Sequence, residues 1–170
     1  MFNFFDLPAD SLLNQQDEIV HLHLVQWRRL SPNNEGDFKV FIHGLNSDGQ
    51  IKLENYQVSA MQFLTINSVS VLESLTKGLF KKLPALKSMY GNRISGIKKP
   101  SDFVDLLEVS CIHLMDIQSD GFGFIGFEME PDWDEEHGLG VTMLKMKVVK
   151  VGQAEAAFDY EPKRSWWKVF

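Results

Sequence analysis

The sequence predicts an α+β fold: an antiparallel sheet, built from N-terminal strands and a C-terminal four-strand meander, with a central helical segment packed on one face. Three patterns carry that prediction. Residues 109–152 alternate apolar and polar positions with a period of two and break at turn residues, as half-buried strands do. Residues 55–90 change to apolar spacings of three and four, the period of a helix face. Residues 18–53 show period two again, interrupted by loops. The 170 residues suit one domain, with arms at 1–17 and 159–170. A chain of this length buries roughly 70 % of its unfolded surface without help from a disulfide or metal.

In chain order, residues 1–17 read as a loose arm, with a short helical turn beginning near Leu7-Pro8-Ala9-Asp10. Residues 18–30 read as one long strand, with Ile19, His21, His23, Val25 and Trp27 on one face and Val20, Leu22, Leu24 and Gln26 on the core face. Residues 31–36 are loop by composition, 37–44 resume alternation, Asn46-Ser47-Asp48-Gly49 is a turn, and 50–53 a short strand. These make a second, smaller set of antiparallel strands. Ala60, Phe63 and Leu64 then share a helical face. Asn67-Ser68 caps a helix carrying Val69, Leu72, Leu75, Leu79, Phe80 and Leu83, with Glu73 early and Lys77, Lys81 and Lys82 late, as the helix dipole favours. Pro84 ends or kinks that helix, and residues 85–90 add a turn or two.

Residues 93–99 form a basic loop, and Pro100-Ser101-Asp102 caps a short helix bearing Phe103, Val104, Leu106 and Leu107. The meander follows. Residues 109–117 are its first strand, Ser119-Asp120-Gly121 turns, and 122–131 is the second strand, which Pro131 ends because it has no amide to donate. After an acidic loop, Leu139, Val141 and Met143 alternate in the third strand. Lys145-Met146 reverses the chain, Val148, Val149 and Val151 form the fourth strand, and Gly152 closes it. Residues 154–158 are expected to pack loosely. The tail, with Trp166 and Trp167 among Lys163, Arg164 and Lys168, is expected to dock on its own core, since exposed paired tryptophans invite association.

Charge is informative by position. Glu128, Glu130, Asp132, Asp134, Glu135 and Glu136 account for the whole net charge of −6, because the other 17 acids equal the 17 lysines and arginines. Between Lys77 and Lys99 lie seven cations and no acid. Such a bipolar surface steers charged partners. The lone Cys111, mid-strand among apolar neighbours, reads as a small buried hydrophobe, with His113 as its one basic neighbour. One cysteine excludes an internal disulfide and fits a reducing compartment. The first six residues lack a basic stretch followed by a long apolar one, and no run approaches the length of a membrane span. A cytoplasmic protein with no membrane partner is expected.

No phosphate-cradling glycine loop, nucleophile elbow or zinc cysteine pair is present, so no reaction is identifiable. Nucleic acid is not the expected partner, because the basic stretch faces an acidic one elsewhere. The favoured reading is an interaction module that binds a basic protein partner through Glu128, Glu130, Asp132, Trp133, Asp134, Glu135 and Glu136. The alternative is a divalent-metal-binding domain or metal-dependent hydrolase centred on Asp134, Glu136 and His137, with His21 or His23 added by the sheet. A purely architectural reading also stands: a tight corner in which Asp134 or Glu136 caps backbone amides and Trp133 packs over the turn.

The run Trp133-Asp134-Glu135-Glu136-His137-Gly138-Leu139-Gly140-Val141, followed by Val148 to Val151, Gly152-Gln153-Ala154-Glu155 and Phe158, resembles a bacterial family of domains of unknown function. That family's pattern is Trp-Asp-x-Glu-His-Gly-x-Gly-Val, then a strand ending in Gly-x-Ala-Asp and a nearby Phe. The resemblance covers residues from about 19 to 158, with Glu155 in place of the usual Asp. It implies no established enzyme activity. In size and charge its members are similar to small bacterial immunity-type proteins, which neutralise a toxin by binding it, and that is an analogy of style.

Overall fold

The computed structural model describes residues 12–13, 20–44 and 51–162, and of residues 12–13 and 51–52 the backbone alone. In chain order the strands are β1 (Leu12–Leu13), β2 (Val20–His23), β3 (Asp37–Ile42), β4 (Ile51–Lys52), β5 (Leu107–Ser119), β6 (Phe122–Pro131), β7 (Leu139–Leu144) and β8 (Lys147–Gly152). The helices are α1 (Asn55–Ile66), α2 (Ser68–Lys81) and α3 (Leu83–Tyr90). β1 and β4 pair as a small antiparallel ladder; the other six strands form one sheet in the order β2-β3-β5-β6-β7-β8. The architecture is the predicted α+β one. The tail at 163–170, with its tryptophans, and the turns near residues 7–10 and 46–49 lie outside the described residues. Among the described residues no helix is long and apolar enough to cross a membrane.

The N-terminal strands are not a separate set. β3 runs parallel to β5, with Val40, Phe41 and Ile42 opposite Ile112, His113 and Leu114, and every other junction in the sheet is antiparallel. A parallel junction needs a long crossover, and residues 53–106, with all three helices, supply it. The helices cover the inner face. Ala60, Phe63, Leu64 and Val71 meet Phe122, Ile125, Phe127 and Met143 around a void of only about 10 Å³. Pro84 starts α3 rather than kinking α2, a position where its missing amide costs nothing. Val69 is exposed and Val71 takes the inward position, so α2 is rotated from the phase its apolar spacing predicts.

The long first strand is also shorter than predicted. β2 stops at His23, and Val25–Leu30 coils into a 3-10 helix. The physical reason is Trp27, expected beside the histidines but fully buried. The coil swings its ring inward, 5.2 Å from Phe127 and 6.3 Å from Phe38, and its Nε1 donates to Ser68 O at 2.8 Å. Burying so large a ring with its donor satisfied outweighs three more ladder residues at the sheet edge.

β5 is bulged, and its bulges decide which side chains meet. Asp120 and Gly121 both have positive φ, 51° and 80°, which is the two-residue turn whose twist matches a hairpin. That turn pairs Ser119 with Phe122 and Gln118 with Gly123, and the register then slips so that Leu114 faces Ile125 and Cys111 faces Glu128. A second irregularity between Val109 and Cys111 flips the strand, so that Leu107 and Val109 face the core before it and Ile112 and Leu114 after it. Cys111, His113 and Met115 therefore share the outer face.

That outer face is covered at one end. Residues 154–157 form a 3-10 helix seated directly on the sheet, tighter than the loose packing expected from sequence. Gly126 and Gly140 make the contact possible. A Cβ on Gly126 would lie 1.4 Å from Ala157 O, and one on Gly140 2.4 Å from Gln153 O. Thr142 Oγ1 fixes the helix by donating to Ala156 O at 2.6 Å.

Candidate functional site

Two groupings of polar side chains stand out, one at the β6–β7 loop and one on the outer face of the sheet. The loop folds on its own backbone. Asp134 N donates to Pro131 O at 3.1 Å, Gly138 N to Asp134 O at 3.3 Å, and Ala154 N to His137 O at 3.1 Å. Asp132 N donates to Leu106 O at 3.0 Å, which ties the loop to the start of β5. Trp133, predicted as a partner-binding residue, is 7 % exposed, with its ring 6.2 Å from both Tyr90 and Phe103. Among the described residues its Nε1 meets no hydrogen-bond partner. Asp134 is 8 % exposed and turned inward, where its Oδ1 accepts from His137 N at 3.3 Å and from His137 Nδ1 at 2.9 Å. Both residues build the corner, as the architectural reading of the loop requires.

The electrostatics follow from that contact. The hydrogen bond from His137 lowers the Asp134 carboxyl below its usual range, with the His137 amide and the Tyr90 hydroxyl helping. The same contact raises the His137 imidazole. The Tyr90 phenol is raised by burial and by its hydrogen bond to Asp134.

Asp132, Glu135, Glu136 and His137 are exposed and, with Met89, Tyr90, Arg93 and Gln153, line an open cleft of about 600 Å³ above Trp133 and Asp134. Arg93 donates to Trp133 O at 3.3 Å. Glu130, also exposed, lies opposite Glu108 on β5, and Glu128 is turned to the outer face of the sheet and does not line the cleft. The predicted metal trio Asp134, Glu136 and His137 is not gathered. Among the described residues, the one trio of such donors within 4.8 Å of one another is Cys111, His113 and Glu128. His21 and His23 do share an exposed face, but His23 Nδ1 is engaged with Asp37 Oδ1 at 2.7 Å.

The outer-face cluster is assembled from β5, β6 and the residue that follows β3. His113, 7 % exposed, bonds through Nε2 to Glu128 Oε2 at 2.9 Å and through Nδ1 to His43 Nε2 at 3.0 Å. The rings of Phe158 and Phe41 lie 5.0 and 5.9 Å from the His113 ring. Burial, then the neighbouring His113, push the His43 imidazole down to about 4, against the pull of Asp116. Burial and the Glu128 charge push the Cys111 thiol up to about 11, so it is no activated nucleophile.

The buried Gln57 of α1 holds this end of the sheet. Its Nε2 shares its two hydrogens among His43 O at 2.8 Å, Leu114 O at 3.2 Å and Met115 O at 3.3 Å, where Leu114 O also accepts from His43 N at 2.9 Å. Tyr56, one residue earlier, donates from its hydroxyl to Asp116 Oδ1 at 2.5 Å.

Sequence reasoning missed this cluster, although Cys111 and His113 stand two apart on a strand, a spacing that puts both on one face. What no local pattern reveals is that a parallel junction brings His43 alongside, and that the bulge sets Glu128 opposite Cys111.

The chain belongs to a family of domains with no function assigned to them. The family model that matches is Domain of unknown function (DUF6985), over residues 19–158. No curated protein and no solved structure matches the chain.

Proposed function

We propose that the protein is an interaction module that captures a lysine- or arginine-rich protein surface in the cleft between residues 89–93 and 132–137. The observation that carries the reading is the cleft itself. Asp132, Glu135 and Glu136 project from a rigid corner around an open space of about 600 Å³, beside the exposed Met89 and the ring of Tyr90. Carboxylates at the rim attract a cation over a distance set by the Debye length, about 8 Å at physiological salt. An aromatic floor receives the side chain that carries the charge. Because Asp134 and Trp133 brace the loop from beneath, the carboxylates need little ordering on binding, which favours affinity. A nucleic-acid-cutting toxin, with its basic cleft, is the kind of partner that the immunity-type analogy favours.

The test separates the rim from its brace. The triple variant Asp132→Asn, Glu135→Gln, Glu136→Gln is measured beside the unaltered protein for capture of a labelled lysine- and arginine-rich peptide, by fluorescence anisotropy at low and physiological salt. The expected result is binding that weakens steeply with salt and falls at least tenfold in the triple variant, with the circular dichroism spectrum unchanged. Equal, salt-independent capture by both proteins overturns the reading.

A further inference from the structure

We propose that Cys111, His113 and Glu128 form a binding site for zinc or a similar borderline divalent transition metal on the outer face of the sheet, with His43 orienting the histidine. The site is independent of the acidic cleft. Its donor atoms, Sγ of Cys111, a ring nitrogen of His113 and a carboxylate oxygen of Glu128, all lie within 4.8 Å of one another. Tetrahedral zinc holds thiolate sulfur at about 2.3 Å and nitrogen or oxygen at about 2.0–2.1 Å, which sets its donors roughly 3.3–3.7 Å apart. The His113–Glu128 contact, at 2.9 Å, opens slightly to reach that spacing, and any wider gap in the trio, at most 4.8 Å, closes by about 1 Å. Glu128, whose side chain is one-third exposed, has the freedom to supply it.

The donor set selects the metal class. A thiolate with an imidazole and one carboxylate suits zinc or cobalt, whereas calcium and magnesium prefer all-oxygen shells. Three protein donors leave a fourth tetrahedral position for water, the arrangement of zinc sites that keep an open coordination place.

The surroundings are those of a built site. The backbone of β5 fixes Cys111 and His113, and Glu128 of β6 stands directly across the ladder from Cys111. His113 offers Nε2 toward Glu128, while Nδ1 is held by His43 at 3.0 Å, the outer hydrogen bond that fixes the ring plane of a metal-bound histidine. Phe158 and Phe41 flank the His113 ring and limit water on that side. Lys39, the charge on β3 that acts on Cys111, stays outside the trio.

The proton balance is simple. The ion replaces the proton between His113 Nε2 and Glu128 Oε2, and that proton moves to Nδ1, where His43 accepts it after turning to its other tautomer. The thiol proton of Cys111 is released to solvent.

Cobalt(II) added to the reduced full chain provides the test. The expected result is one cobalt per chain with a thiolate-to-cobalt charge-transfer band and intense tetrahedral ligand-field absorption, both lost when zinc is added. Cys111→Ser abolishes the charge-transfer band. Glu128→Gln and His43→Ala, which keep the thiolate, retain the band at tenfold or more weaker cobalt affinity. Asp134→Asn and His137→Ala leave band and affinity unchanged. No charge-transfer band at excess cobalt overturns the site, as does a band that survives Cys111→Ser or disappears with His137→Ala. If Cys111→Ser does not fold, the Glu128→Gln affinity decides, and wild-type affinity in that variant is a refutation.

Discussion

The acidic cleft and the outer-face cluster hold carboxylates and histidines in opposite ways. In the cleft, Asp134 and His137 come from one short loop and pair with each other, and the charges beside them remain in water. In the cluster, His43 just past β3, His113 on β5 and Glu128 on β6 join in a chain of hydrogen bonds under aromatic rings. An exposed charge is cheap to keep and easily screened, which suits a long-range attractor. A buried polar group depends on its partner, so losing the partner costs the full desolvation penalty. The cleft is therefore tolerant and salt-sensitive, while the cluster is intolerant and bound to the stability of the sheet.

The largest predicted effect comes from Gly126→Ala. Its new Cβ collides with Ala157 O and lifts the 3-10 helix that carries Phe158 onto His113. The expected cost is about 3 kcal/mol, the upper end for overpacking. For a chain of this size that is roughly 6–12 °C in melting temperature, read by thermal denaturation. An unshifted melting curve would dissolve the distinction between a dependent cluster and an independent cleft.

His113→Leu comes next. It removes both hydrogen bonds and leaves His43 and Glu128 without their shared partner, for an expected loss of about 2 kcal/mol in urea denaturation. The matching change in the cleft, Glu135→Gln with Glu136→Gln, is expected to stay within about 0.5 kcal/mol.

Acid sharpens the contrast, because the two histidines move in opposite directions. His43 is depressed from 6.5 to about 4, so in the metal-free protein the unfolded chain takes up a proton that the folded one refuses. Stability from this site falls as pH drops from 6.5 to 4. His137 is raised and Asp134 lowered, so their pair contributes fully between 3.8 and 6.5. That contribution fades as pH rises through the folded value of His137 or drops through that of Asp134. Urea midpoints followed from below pH 3.8 to above pH 6.5 should show the slope between 6.5 and 4 flattened in His43→Gln, and the slopes outside 3.8–6.5 flattened in His137→Ala. The smallest effect is that of Lys145→Ala, which removes an ammonium 3.9 Å from the centre of the Phe122 ring and should cost about 0.5 kcal/mol.

The α+β layout was legible because it rests on short-range periodicity. Pro131, the Asp120-Gly121 turn and the alternation of β7 each mark their element within a few residues. The loop could be read the same way, since its acids are contiguous, although which of them turn inward depends on Tyr90 and Phe103, far off in sequence. Trp27 was misplaced because an alternating pattern does not reveal that a large ring gains more by leaving the strand. The cluster was illegible for a similar reason. Its members obey the pattern of their own strands, and it is the register slip in β5 and the parallel β3–β5 junction that bring them together.

That parallel junction also orders events during synthesis. His43 and its partner His113 are separated by 70 positions, so β3 leaves the ribosome with one edge open and no neighbour yet made. At typical elongation rates the wait lasts about 4–14 s. During that interval the β2–β3 hairpin is an exposed template for any passing strand. A chaperone that shields nascent hairpins should therefore improve the yield of this protein most when translation is slowed between codons 43 and 113.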